Sequence, residues 1–476
     1  VAVEWSGSGP QLLIVLDRTL STPLRVQIEG QLRDAIQTGR LTAGERLPSS
    51  RALATYLGLS RGVVQDCYAQ LQAEGYLSSR GGSATRVAAT ATGPRPSAGP
   101  SAASPAPSSA AAPGPPRLIA NFESGVPDLG LAPRADWAWA VREACRAAPN
   151  TAFNYGDPRG DADLRHVLAA YVRRVRAADT HPDQVVVCGG FAQGLALVLR
   201  VLARTGRTRV ACEDPGSIGT VTAAAAAAGA EAVPVPVDDQ GLDVAALAAS
   251  GARVAVLTPA HQWPTGVVLA PHCRHELIAW ARDRDGLIVE DDYDAEFRYD
   301  REPIGSMQGL APDRVINLGT VSKSLAPALR LGWAVLPVAI AADVAAAKAV
   351  ADRGTPGIDQ LALARLIESG RYDRHLRRMR AEYSQRRDVL IEALREHAPH
   401  LRLTGLAAGF HAVAHLPEDA DEAAVVAAAR ARGVGLFGMG RYRSDPAGHP
   451  PQLVFGFGNT GQRAIREGIA AVADLL

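Results

Sequence analysis

The chain has 476 residues, 47% of them hydrophobic and 21% charged, with a formal net charge of +1. It is too long for one ordinary domain, so two or three globular domains are expected. The near-neutral balance excludes a polybasic attraction of the whole molecule to nucleic acid or membrane, and any such contact must come from a local patch.

Five cysteines, Cys67, Cys145, Cys188, Cys212 and Cys273, are scattered without a C-x-x-C pair. That pattern fits reduced thiols in a cytoplasm better than a disulfide or zinc framework, and no metal site is expected. The apolar run at 12–16 is shorter than a signal-peptide core, and no stretch approaches a transmembrane helix in length. A soluble, cytoplasmic protein without membrane contacts is expected.

In the first module, over residues 10–87, Leu24, Ile28, Leu32 and Ile36 place one apolar stripe on a helix spanning 24–38. Pro48, Ser49, Ser50 and Arg51 open a second helix that runs to Leu57. Gly58 makes a tight turn, and Ser60 is expected to cap a third helix reaching about Glu74. Two short helices joined through a glycine turn form a helix-turn-helix pattern. Residues 75–87 then read as two short strands around Gly81 and Gly82, a wing. Between Asp17 and Val87 nine arginines face six acids, an excess that suits phosphate contacts. Ser60, Arg61 and Gln65 at the start of the third helix can reach base edges, with Arg51 of the second helix and Arg80 of the wing beside them, so double-stranded operator DNA is the expected partner. A protein-interaction module with merely solvated arginines is the bland alternative, and the order of turn, cap and wing argues against it.

Residues 88–116 consist almost wholly of Ala, Ser, Pro, Gly and Thr, with Arg95 the one charge. Such a segment cannot bury a core and is expected to be a flexible linker. Beyond it, residues 117–476 carry an α/β pattern. Strand-like runs at 254–257, 287–289 and 315–318 are apolar on both faces and separated by helical segments such as 275–282, the signature of a mainly parallel sheet. Ligands of such sheets bind just past the carboxyl ends of the strands. Those ends lead into 261–266, 290–293 and 320–323, so His261, Asp291, Tyr293, Thr320 and Lys323 are expected on one rim. The alanine run at 223–228 before Gly229 reads as an ordinary capped helix.

Of the 50 cationic side chains only Lys323 and Lys348 are lysines. A chain that otherwise uses arginine has kept a primary amine at Lys323, and an amine can form a Schiff base where a guanidinium cannot. Lys348, in an alanine-rich helix, reads as an ordinary surface lysine. A lysine with an acid on a neighbouring strand suggests a pyridine cofactor. Pyridoxal phosphate needs an amine for the aldimine, a carboxylate for the ring nitrogen, a donor for the phenolic oxygen and a phosphate cup. Lys323, Asp291 and Tyr293 supply the first three. Gly189, Gly190, Phe191 and Ala192 follow the strand at 185–188 and open a helix with free amide donors for the fourth. Thr320 and Arg330 add a hydroxyl and a fixed charge.

With these residues in place the chain resembles a known family. Leu47-Pro-Ser-Ser-Arg51, Leu57-Gly-Leu-Ser60-Arg61 and Ala73-Glu-Gly-Tyr-Leu77 resemble the winged helix of GntR-family repressors. Tyr155-Gly-Asp-Pro-Arg-Gly160, Glu213-Asp-Pro-Gly216, 261–266, 290–299 and Ser322-Lys323 resemble fold-type I aminotransferases. The fusion, in that order, is similar to the MocR/GabR subfamily of transcription regulators. The resemblance implies that Lys323 is the aldimine lysine, Asp291 the pyridinium partner and Tyr293 the phenolic-oxygen donor, with Arg330, Thr320 and the amides of Phe191 and Ala192 on the phosphate. It implies that Tyr155 reaches the phosphate of a partner subunit in a homodimer. It further implies that Arg441, or its neighbour Arg443, grips the carboxylate of a small-molecule effector.

Two departures stand out. Ser217 occupies the position where the family places an aromatic residue that stacks on the cofactor ring, with Phe191 or Trp263 as substitutes. Pro451 and Gln452 stand where aminotransferases present a carboxylate-binding arginine. Three readings follow: a regulator that senses an amino compound, a regulator that senses pyridoxal phosphate itself, or a working aminotransferase with an accessory DNA-binding domain. The two departures lean toward the cofactor sensor, which would activate cofactor-synthesis genes; for a regulator of either kind, vitamin B6 or amino-acid metabolism genes are the expected targets.

Overall fold

The computed structural model describes residues 14–79, 84–88, 118–299 and 305–476. They fall into two compact units, Val1–Ala112 and Pro113–Leu476. Arg80 and nearly all of the expected linker lie outside the described residues.

In the front unit three helices, Leu24–Gln37, Ser50–Leu57 and Arg61–Ala73, precede a short antiparallel strand pair, Leu77–Ser78 with Arg86–Val87. Ile28, Leu32, Ile36, Leu53, Val64 and Leu71 are buried together as its core, so each helix has turned its apolar stripe inward. The second helix starts where the Ser49 hydroxyl accepts the Ala52 amide at 3.1 Å. It stops at Gly58, whose φ of 64° is left-handed, a conformation that a side chain strains. Ser60 departs from expectation. Its backbone is extended as a cap requires, yet its hydroxyl makes no bond to the first-turn amides and stays exposed.

The rear unit is built on an eight-stranded sheet in the order Val185–Cys188, Gly332–Val335, Val315–Thr320, Leu287–Asp292, Val254–Leu257, Arg209–Asp214, Glu231–Asp238 and Gly241–Leu242. The five strands from Val315–Thr320 to Glu231–Asp238 run parallel, and Gly332–Val335 is antiparallel to both of its neighbours. The core strands are buried over nearly their whole length, because helices cover both faces of the sheet. A smaller antiparallel sheet of Arg402–Thr404, His411–His415 and Gln452–Gly456 shares one apolar core with the Arg371–His397 and Gln462–Ala471 helices toward the C-terminus.

Register sets the rim. Leu318 pairs with Asp291, Thr320 with Gly332, and Gly332 with Cys188, so three strand ends meet at one edge. Two strands run further than expected, to Asp292 and Thr320. Asp291 and Thr320 are thus held by the ladder rather than by a loop. The expected surface position of Lys348 is also corrected: it is fully buried, its Nζ 2.5 Å from Asp352 Oδ2 and 3.2 Å from Gln193 Oε1. With Ala341, Val344 and Ala345 it forms the inward stripe of the Val338–Asp352 helix, the i, i+3, i+4, i+7 pattern of a core face.

Candidate functional site

Past the rim lies a cavity of about 280 Å³ whose walls include Phe191, Ala192, Asp291, Tyr293, Thr320, Lys323 and Arg330. Seven of the expected residues therefore converge there, drawn from four segments of the chain. The cavity is completed by Gly125, Ser217, Thr220, Trp263, Ser322 and Pro327.

Lys323 follows the Val315–Thr320 strand, and its Nζ donates to Gly125 O at 2.6 Å. Burial lowers the pKa of its ammonium, against the opposing charges of Asp291 and Asp294. A desolvated amine of this kind spends more time neutral and nucleophilic. On the adjoining strand Asp291 is 8% exposed, and its Oδ1 is buried without a hydrogen-bond partner. Burial pushes its carboxyl well above the usual range, and the nearby Lys323 charge only partly offsets this. Asp292, one residue on, points to the opposite face and pairs with Arg176 at 2.7 Å. The alternation follows the two-residue period of a strand.

Tyr293 places its hydroxyl 3.1 Å from His261 O and 3.3 Å from His261 Nδ1. His261 is fully buried and bonded through Nδ1 to Asp294 at 2.7 Å. It therefore sits behind Tyr293 rather than on the cavity wall where the sequence reading put it. A tyrosine this deeply buried resists ionisation, and its pKa is raised by desolvation first and by Asp294 and Asp291 next.

The opposite end of the cavity is the start of the Phe191–Arg204 helix, whose first amides have no intrahelical acceptor. Gly190, with φ of 92°, turns the chain into that helix. A Cβ there would lie 3.3 Å from the Arg330 guanidinium, so glycine is what lets Arg330 lie against the turn and donate to Gly189 O. Thr320 Oγ1 lies 2.9 Å from Ser322 Oγ and accepts the Ser322 amide at 3.1 Å, which ties the hydroxyls to this end. Ser217 lines the cavity where an aromatic residue was expected, while Phe191 and Trp263 both reach the wall.

Three expected residues stand apart. Tyr155 is 78% exposed, stacks on Arg353 at 5.4 Å and borders a separate groove of about 870 Å³. Arg441 is exposed and lies over Phe437, and Arg443 reaches toward Gln452 Oε1 at 3.5 Å. Neither arginine lines the cavity. Between them Tyr442, missed by sequence reasoning, bonds Ser124 at 2.8 Å and stacks edge-on against Trp263. Gly125 was missed as well, since nothing in its local pattern marks a residue 198 positions from Lys323 as the acceptor of its amine. In the front unit Arg51, Ser60, Arg61 and Gln65 are all exposed.

The family model described as aminotransferase class I and II matches residues 119–447, and that of the bacterial regulatory proteins of the gntR family matches residues 24–87. The chain is 33% identical over 463 residues to the HTH-type pyridoxine biosynthesis transcriptional regulator PdxR of Corynebacterium glutamicum, covering 97% of this chain and 98% of that protein. It is 34% identical over 472 residues to the probable rhizopine catabolism regulatory protein MocR of Rhizobium meliloti, covering 96% and 94%. Among solved structures the kynurenine aminotransferase of Pyrococcus horikoshii matches with a TM-score of 0.68 at 25% identity, over 75% of this chain and 90% of that one. A DNA-binding helix-turn-helix joined to a pyridoxal 5'-phosphate fold, matched from end to end by regulators of the same build, places this chain in the MocR-type family of transcriptional regulators.

Proposed function

We propose that this protein binds operator DNA as a homodimer in the cytoplasm and that occupancy of the Lys323 cavity by pyridoxal 5'-phosphate is the signal it reads. The front module, 10–87, carries the DNA contacts through Arg51, Ser60, Arg61, Gln65 and Arg80. Residues 88–116 tether it to the sensing domain, 117–476. When bound, the cofactor supplies an aldehyde that an amine captures reversibly and a phosphate that amides and cations can hold.

The residues fit that group. Lys323 offers the amine. Asp291, with an unpartnered buried oxygen, would hold the ring-nitrogen proton, and that cation would reverse the rise in its own pKa. Tyr293 would donate its hydroxyl to the phenolic oxygen, with His261 and Asp294 orienting it from behind. The amides of Gly190, Phe191 and Ala192, the Thr320 hydroxyl and the Arg330 guanidinium would receive the phosphate. Tyr155 would come from the other subunit. Trp263 and Phe191 would exclude water from the ring in place of the aromatic absent at Ser217.

One observation favours the cofactor itself over an amino-compound effector. Arg330 is the only arginine among the described residues lining the cavity, and it faces the phosphate turn. A carboxylate effector would have to recruit Arg441 or Arg443 from outside. The name of the Corynebacterium relative, a pyridoxine biosynthesis regulator, supports vitamin B6 genes as the target. The test is protection of promoter DNA by the full-length protein with and without cofactor. A coupling typical of allosteric proteins would change operator affinity roughly 5- to 150-fold. Identical protection in the two states, with steady transfer of amino groups to a keto acid, would select the aminotransferase reading instead.

A further inference from the structure

Lys348 belongs to a closed hydrogen-bond network that ends on the phosphate turn. Its Nζ donates to Gln193 Oε1 at 3.2 Å and pairs with Asp352 Oδ2 at 2.5 Å. Gln193 Nε2 donates to the same Asp352 oxygen at 2.7 Å, while Gln193 Oε1 accepts the Gly189 amide at 2.7 Å. The Gly189 carbonyl is held from the other side by Arg330. Gly189, which leads into Gly190 and the first helical amides, is thus held through both its amide and its carbonyl.

Burial alone would raise the pKa of Asp352, but bonds from Lys348, the Gly354 amide and Gln193 hold it below the usual range, so the pair carries an ionised acceptor. The lysine side chain is 0% exposed. A cation brought under protein at the cost of its hydration is an expensive way to join two helices that alanine and leucine could pack. Its position behind the turn gives it another use. It polarises Gln193 and so orients the Gly189 peptide.

We propose that Lys348 is a positioning residue for anionic phosphate, acting through Gln193 to hold the Gly189–Phe191 amides toward the cavity. This rests on the reading of the cavity as a pyridoxal phosphate site. Because Lys348 does not itself touch the ligand, its effect is confined to the phosphate end. The aldehyde end, at Lys323, is built by other segments.

The test compares binding of pyridoxal phosphate and of unphosphorylated pyridoxal to the full-length protein, followed by absorbance. Lys348→Met is expected to weaken pyridoxal phosphate about tenfold, the scale of one charge-assisted hydrogen bond, and to leave pyridoxal unchanged. Lys348→Met with Asp352→Asn removes the charge pair, the buried lysine and its part-exposed carboxylate, while keeping the Asp352–Gln193 link, and serves if the single variant folds poorly. Gln193→Leu is expected to have the same selective effect, and adding Lys348→Met to it to cause little further loss. Equal weakening of both ligands, unchanged phosphate affinity, or additive losses would each overturn the assignment. Wild-type protein that binds both ligands as Lys323→Ala does would instead overturn the cofactor site itself, and this inference with it.

Discussion

In the front unit the proposed contact residues Ser60, Arg61 and Gln65 stand exposed on the first turns of one helix, whereas the Lys323 cavity draws its walls from segments as distant as Gly125 and Arg330. The first arrangement is a set of parallel contacts, each adding a share of affinity. The second is a convergent one, in which groups are desolvated together and depend on one another. Electrostatics divide the same way. Asp17 and Glu74 in front are lowered, Asp17 by its bonds to Thr19 and Glu74 by Gln70 and then Arg33. At the rear cavity Asp291 is raised by burial, and Glu213, in the small void beside it, is pushed up to about 7.

The contrast is sharpest at the amine. Lys323→Ala is expected to abolish the yellow chromophore and the borohydride-stable label on its peptide, an all-or-none loss. A Lys323→Ala protein that kept the wild-type cofactor spectrum would remove the convergent half of the comparison.

The next largest effect is on pH dependence. Glu213 is protonated in the folded cofactor-free protein up to about 7, while the unfolded chain releases that proton near 4.5. The folded state binds the extra proton, so this contribution to stability is complete at low pH and lost as pH rises through that window. It amounts to at most on the order of 3 kcal/mol. Glu213→Gln should flatten that part of the profile in urea titrations of the rear unit. Asp17 and Glu74 carry the opposite sign and give stability that is lost on acidification. If Glu213→Gln left the profile unchanged, the electrostatic contrast would fail.

Arg61→Ala should cost roughly 1–3 kcal/mol of operator binding if the side chain reads a base, with relaxed sequence preference. If it meets only phosphate, binding should weaken on all sequences and the salt slope should flatten. Unchanged operator affinity would move the contact face elsewhere on the unit. The smallest effect is local. Ser49→Ala should destabilise the front unit by about 1 kcal/mol in thermal unfolding, because it deletes a formed cap. Ser60→Ala deletes none and should cost clearly less, while still affecting DNA affinity.

The front unit was legible because its signals are local. Glycine turn, cap positions and apolar stripes lie within a helix or two of the residues they predict, and among the described residues the side-chain cap expected of Ser60 did not form. At the rear, the apolar strands and the residues following them announced the rim, since a parallel sheet brings strand ends together regardless of loop detail. The readings that failed did so for identifiable reasons. An alanine-rich helix makes Lys348 read as a surface lysine, although its spacing from Ala341, Val344 and Ala345 already places it on the buried stripe. His261 was placed on the wall because strand order locates a segment, while the direction of a side chain within it depends on Asp294 from another segment.

By itself the sequence determined the order of modules, the helix-turn-helix, the parallel sheet and the chemical types gathered at its edge, because periodicity and punctuation act over short stretches of chain. Only the tertiary structure decided which of those groups share a cavity, which lysine lines it, and which is bonded to a carboxylate and to Gln193 behind the Gly189–Gly190 turn. Those outcomes depend on desolvation and on partners contributed by distant segments, Gly125 for Lys323 and Gln193 with Asp352 for Lys348.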